Sequence, residues 1–375
     1  MKRAFLWAVP AALLTALLCL AIYYYTPVSK TEHGNLTVWY AETDCPRPVM
    51  DALMEDYRSE TRCLVTAVVF PDEAALADAF ENGKPDLLLC SHVRAWDMNG
   101  RAGLSLLDGL PPLPEAVWES VDGINGGFFP FGGRLPLLLM DGKRVSELPG
   151  SLETLLEWAA KEKKPVLAAD SWADLLYQEM FSQGRKLRGV LKADLRDEDY
   201  VKLYNALASC AYEGGIAGVG GGAEYVRQGL LACAAVPSSA LSGLRDEEGL
   251  IVSALPLPEG GQKVYSAELM GFAFLGEKKI AGEAKDFLTW LGTGDHSSAL
   301  ALKAGLVPLT AVPEEETEKK PETEPEQKPV RTAFEGLLCS LAEEGSLRYI
   351  DPASDYCKNR DALERRLRQS LDLLT

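Results

Sequence analysis

Residues 255–310 read LPLPEGGQKVYSAELMGFAFLGEKKIAGEAKDFLTWLGTGDHSSALALKAGLVPLT, and this stretch decides the fold. An apolar Leu-Pro pair leads into a Gly-rich turn, and the turn into a short strand through Gly271-Phe272-Ala273-Phe274. Ala284, Phe287, Leu288 and Leu291 recur at i, i+3, i+4 and i+7, which places four apolar side chains on one helix face. A Gly-punctuated break follows, then a second short helix and Gly305-Leu306-Val307-Pro308.

The same alternation extends upstream. Strands are expected at 35–40, 63–70 and 85–90, separated by helices at 48–60 and 72–81. The third strand is short and apolar through Leu87-Leu88-Leu89-Cys90, as strands covered on both faces are. Strands separated by helices predict a doubly wound α/β sheet. Gly123-Ile124-Asn125-Gly126-Gly127-Phe128-Phe129-Pro130 then precedes an apolar run at 135–140 and a helix at 151–161. Helices at 172–182 and 198–212 follow, with a strand ending near Ala235. Six glycines crowd residues 214–222, but no Gly-Lys-Ser/Thr accompanies them, so the segment reads as a flexible loop rather than a phosphate cradle.

Met1-Lys2-Arg3 precedes an uncharged, mostly apolar run at 4–25, about the ~20 residues that span a bilayer. The two cations stay inside and the remainder is exported. Tyr23-Tyr24-Tyr25 suits an interfacial belt, so a retained membrane anchor is expected ahead of cleavage or lipidation at Cys19. About 350 residues remain beyond this leader, enough for two lobes. A formal charge of -17, without any Lys/Arg cluster, argues against nucleic acid. Residues 314–329 hold seven Glu and three Lys without one aliphatic or aromatic side chain, the composition of a solvated linker. Beyond it, two amphipathic helices at 332–344 and 359–374 close the chain.

Seven cysteines lie outside the leader, with no Cys-x-x-Cys spacing, so no structural zinc or full disulfide framework is indicated; Cys45 with Cys63 is the pair open to oxidation. His33, His92 and His296 fall in no catalytic motif, and Gly-x-Ser-x-Gly is absent. Neither an enzyme nor a cofactor is expected. His92 alone directly follows a strand end, the place where open α/β sheets bind ligands.

This order of elements, from residue 35 to 313 and again from 331 to 375, resembles the extracellular solute-binding proteins of ABC importers, specifically the sugar-binding, maltose-binding-protein-like group. The resemblance implies an α/β, two-lobe periplasmic-binding-protein fold (type II), each lobe a doubly wound sheet, here carried on an N-terminal membrane-spanning helix. Lobe 1 would comprise 35–129 and 259–307, and lobe 2 would comprise 130–255 and 331–375. The chain would cross between them near Pro130, Pro256 and Pro308. Such a protein captures a small solute, a sugar or oligosaccharide here, and delivers it to ABC permease subunits at the outer face of the cell membrane.

A sugar site combines aromatic faces, which stack on the C–H face of a pyranose, with planar charged groups that bond its hydroxyls. Strand ends and crossings offer Asp44, Arg94, Trp96, Arg134, Trp172 and Tyr356. Each aromatic among them reads also as core, and each arginine as a surface ion-pair partner. Ser91-His92-Val93-Arg94 resembles the Ala-His-Asp-Arg of maltose-type proteins, with Val93 in place of the acid, and Ser239 stands where those proteins often carry an aromatic. Both departures turn the expectation away from maltodextrin. They leave open a receptor of the same fold for a polyamine, metal chelate or other charged solute, and a non-transport scaffold or sensor.

Overall fold

The computed structural model describes residues 35–145, 147, 149–184, 198–218, 220–242, 249–258, 262–310 and 332–374. The expected anchor at 4–25 and linker at 314–329 lie outside the described residues. No helix among the described residues is long and apolar enough to cross a membrane.

Eleven strands are described: β1 (Leu36–Ala41), β2 (Val65–Phe70), β3 (Leu87–Ser91), β4 (Phe128–Arg134), β5 (Pro136–Asp141), β6 (Leu167–Ala169), β7 (Cys233–Pro237), β8 (Leu250–Ala254), β9 (Tyr265–Phe274), β10 (Val307–Pro308) and β11 (Leu347–Tyr349). They form two mixed sheets. The larger has the order β10-β4-β9-β3-β1-β2, with β11 paired parallel to β9. Its β1, β2 and β3 run parallel, as the helix-separated apolar segments predict, whereas β9 lies antiparallel between β3 and β4. The smaller sheet has the order β6-β7-β5-β8.

Period-two alternation sorts the larger sheet's side chains. Val38, Tyr40, Leu87 and Leu89 face a core shared with the helices Arg47–Thr61 and Ala281–Leu291, while Trp39, Leu88 and Cys90 face the opposite one. Ala284, Phe287, Leu288 and Leu291 are all buried in the first of these cores, as their spacing requires. Where β4 shifts register against β9, between Pro130 and Gly132, the backbones approach closely: a Cβ on Gly271 would sit 2.4 Å from the Phe129 carbonyl oxygen. Behind the smaller sheet, Leu138 and Met140 pack with the helices Leu152–Lys161, Trp172–Ser182 and Glu198–Tyr212. The terminal helix Asp355–Asp372 joins that core through Leu363, Leu367 and Leu371. Thr332 and Glu335 form a reciprocal capping box that starts the preceding helix, Ala333–Glu343.

One expected crossing moves. Pro130 lies inside β4, paired with Gly271 of the larger sheet, and the passage between sheets is at Leu135, between Arg134 of β4 and Pro136 of β5. The bulge absorbs Pro130, so the strand continues past the residue expected to end it. Pro308 pairs with Gly132 as the last residue of β10, so the larger sheet ends at the position expected for the third crossing. The segment 255–264, which holds Pro256, does join β8 of one sheet to β9 of the other. All seven described cysteines are free thiols; Cys45 is buried and Cys63 exposed, so they do not form the pair considered above.

Candidate functional site

Arg134 ends β4 directly opposite Glu268 of β9, a cross-strand pair fixed by register. Its guanidinium donates to Glu268 Oε2 from Nη2 at 2.6 Å and from Nε at 3.2 Å, and to Asp44 Oδ1 from Nη1 at 2.6 Å. Asp44 comes from the turn after β1 and is buried. The other Glu268 oxygen accepts from Arg360 Nη1 at 2.7 Å. Arg360 belongs to the terminal helix, and its Nη2 pairs with Asp174 of the helix Trp172–Ser182. The Tyr356 hydroxyl donates to the remaining Asp174 oxygen. Two guanidiniums and three carboxylates thus tie β4, β9, the post-β1 turn, a helix of the smaller sheet and the C-terminal helix into one network.

Charge in this network is unevenly shared. Burial alone would raise the Glu268 carboxyl, but Arg360 and Arg134 together outweigh it and hold its pKa at about 2. Asp44 has one guanidinium partner rather than two, and burial pushes it up to about 6 in spite of Arg134. Glu268 is therefore the firmly ionised centre of the network.

A cavity of about 220 Å³ opens beside it. One wall is Arg134, Ser266 and Glu268 from the larger sheet; another is Asp170, Asp174 and Tyr177, on and just before the helix Trp172–Ser182. Ile350, Tyr356 and Arg360 of the C-terminal arm close it. Asp170 accepts from the Gly222 N–H at 2.9 Å, so the Gly-rich segment is tied to a cavity-lining carboxylate through a backbone donor. Nearby, the segments carried by the two sheets touch. Ser239 Oγ lies 3.4 Å from the Thr43 carbonyl oxygen, and a Cβ on Gly305, where φ is +73°, would meet the Ser238 carbonyl oxygen at 2.6 Å.

Three of the six residues expected at the site come together there: Arg134 and Tyr356 line the cavity, and Asp44 stands behind Arg134. The other three do not. Trp172 is 2 % exposed: at the start of the helix that Ser171 caps, it belongs to the smaller sheet's core with Leu152 and its neighbours and does not line the cavity. Trp96 packs along the helix His92–Ala102 over Gly123, where a Cβ would approach its ring to 2.7 Å. Arg94, in the first turn of that helix, reaches Glu73 at 3.8 Å and does not line the cavity.

His92 is not at the cavity surface either. It is 0 % exposed, with Nδ1 accepting from the Leu269 N–H at 3.1 Å, which leaves Nε2 as the protonated nitrogen that donates to the Ile350 carbonyl at 2.7 Å. Burial lowers its pKa. The histidine pins β9 and the C-terminal arm together beneath the cavity wall.

Sequence reasoning missed Glu268, Arg360, Asp174, Asp170 and Tyr177. Glu268 carried a signal, as the one charge within the otherwise apolar strand YSAELMGFAF.

No protein-family model matches the sequence, and no curated protein matches it. Solved structures do match. The GacH receptor of Streptomyces glaucescens, solved unliganded and with acarbose, superposes with a TM-score of 0.67 at 16% identity, over 92% of this chain and 95% of that one. The fold is that of ABC-transporter solute-binding proteins. A solute-binding protein of Agrobacterium radiobacter K84 in complex with ribitol gives 0.64 at 17% identity, over 92% of this chain and 95% of that one. The spermidine/putrescine ABC transporter substrate-binding protein PotD of Streptococcus pneumoniae gives 0.63 at 14% identity, over 90% and 99%.

Proposed function

We propose that the protein is a membrane-tethered, extracytoplasmic solute receptor that holds a small polyhydroxylated solute, a monosaccharide or a sugar alcohol of similar size, and hands it to an ABC permease. The observation that carries the reading is the cavity, whose walls come from both sheets and set guanidinium donors beside carboxylate acceptors. A sugar hydroxyl donates and accepts at once, so it matches neighbouring pairs such as Arg134 with Glu268 and Arg360 with Asp174. The volume of about 220 Å³ is below the ~300–1,000 Å³ of sites for drug-sized ligands, which favours one ring over an oligosaccharide. Neighbours of the same fold that hold acarbose or ribitol support a polyol ligand. The apolar run at 4–25 behind Lys2-Arg3 supports the tether.

A second reading, a polyamine receptor, draws on the three carboxylates Asp170, Asp174 and Glu268 that line the cavity against two guanidiniums. Two of those acids are already paired with arginine, so a cation meets a largely neutralised wall. A thermal-shift screen over monosaccharides, sugar alcohols and polyamines tests the proposal. A sugar or sugar alcohol at 100 times its Kd should add about 2.7 kcal/mol of stability. Stabilisation by polyamines alone would transfer the assignment to the second reading, and stabilisation by none of these solutes would favour a scaffold.

A further inference from the structure

The aromatic platform that a sugar site needs is present, but it is covered by the protein itself. Tyr356 lines the cavity, and its hydroxyl is held by Asp174, so its ring is fixed in place. Against its face lies Tyr177, with ring centroids 3.8 Å apart and planes 11° from parallel. Phe181, one helical turn on, stacks on Tyr177 at 5.6 Å, and Met180 and Ile350 complete the cluster. Tyr177 is only 8 % exposed, yet it also lines the cavity. A flat ring thus fills the position in which a pyranose would present its C–H face to Tyr356.

Resting on the polyol reading above, we infer that Tyr177 is a specificity-determining residue: its ring occupies a second sugar position on Tyr356 and restricts the cavity to a solute no larger than one sugar ring. The geometry accounts for the small volume, since the aromatic surface that would lengthen the site is spent on an internal stack. It also explains why the cavity offers guanidinium and carboxylate groups but little free aromatic face. A solute of two rings would have to displace Tyr177, which Phe181 and Met180 support from behind.

The test titrates the full chain with D-glucose, D-galactose, ribitol, maltose and cellobiose by calorimetry, for the wild type, Tyr177→Ala and Tyr177→Phe. Wild type should prefer its best single-ring or open-chain solute over both disaccharides by about tenfold or more, Tyr177→Phe should keep that preference, and Tyr177→Ala should bring a disaccharide to within about threefold. An unchanged preference in a cooperatively folded Tyr177→Ala would overturn the inference and make the residue a packing element. If the alanine variant does not fold, Tyr177→Leu, which keeps apolar volume without a flat ring, is judged by the same ratio. Wild type that binds these sugars without regard to size overturns this inference alone, whereas wild type that binds none of the five overturns the polyol reading with it.

Discussion

Replacing Glu268 by Gln removes the one carboxylate that bridges both cavity arginines while keeping its shape. In the wild type that carboxylate accepts from Arg134 at 2.6 Å and Arg360 at 2.7 Å, and its pKa falls from the ordinary 4.5 to about 2. A depression of this size is equivalent to about 3 kcal/mol of stability at neutral pH. Truncating one partner of a buried pair, which costs ~3–5 kcal/mol, leads to the same range. Because the folded pKa is depressed, the contribution is fully present above pH 4.5 and is lost as the pH falls toward 2. Urea unfolding of wild type and Glu268→Gln should therefore differ by about 3 kcal/mol at pH 7 and by about half as much at pH 3. A difference at pH 7 within about 0.5 kcal/mol, or a gap that widens in acid, would refute the claim that Glu268 is the ionised centre of the network.

Two further substitutions probe the surroundings of the cavity. Trp172→Ala should cost about 3–5 kcal/mol of stability by opening a hole in the smaller sheet's core, yet leave the affinity of the folded fraction nearly unchanged; loss of affinity without loss of stability would return Trp172 to the site. Burial raises the Glu179 carboxyl to about 7, so this group favours the folded state at low pH and its contribution disappears as the pH rises from 4.5 through 7. Glu179→Gln should therefore stabilise the protein by on the order of 1–2 kcal/mol at pH 8 and by nothing measurable at pH 4.5, which parallel thermal melts would check.

Much of the architecture was legible because short-range physics writes it. Helical spacing at Ala284, Phe287, Leu288 and Leu291 and the apolar run Leu87-Leu88-Leu89-Cys90 of β3 each specify their own burial. The antiparallel placement of β9 between β3 and β4 was not legible, since pairing across the chain depends on long-range packing that no local pattern encodes. Pro130 misled for a related reason: a bulge lets a proline remain within a paired strand. At the site, Arg134 and Tyr356 were found because charged and aromatic residues at strand ends and loops are conspicuous. Arg360 was not, because it sits among four other arginines and lysines of one amphipathic helix and only the fold brings it to Glu268, 92 positions away. Trp172 was conspicuous for the same reason as Tyr356 but is buried in the smaller sheet's core, and the face that a residue at a helix start presents is fixed by the packed fold rather than by its local sequence.

The central claim is that the cavity between β4, β9, the helix Trp172–Ser182 and the C-terminal arm holds one polyol no larger than a monosaccharide. A crystal structure of the protein grown with the sugar or sugar alcohol that most stabilises it tests this directly. The account predicts one solute molecule in that cavity, its hydroxyls bonded to Arg134, Glu268 or Asp170, with Tyr177 still stacked on Tyr356. A solute bound elsewhere on the molecule, with the Arg134–Glu268–Arg360 network intact and the cavity filled only by solvent, would contradict it.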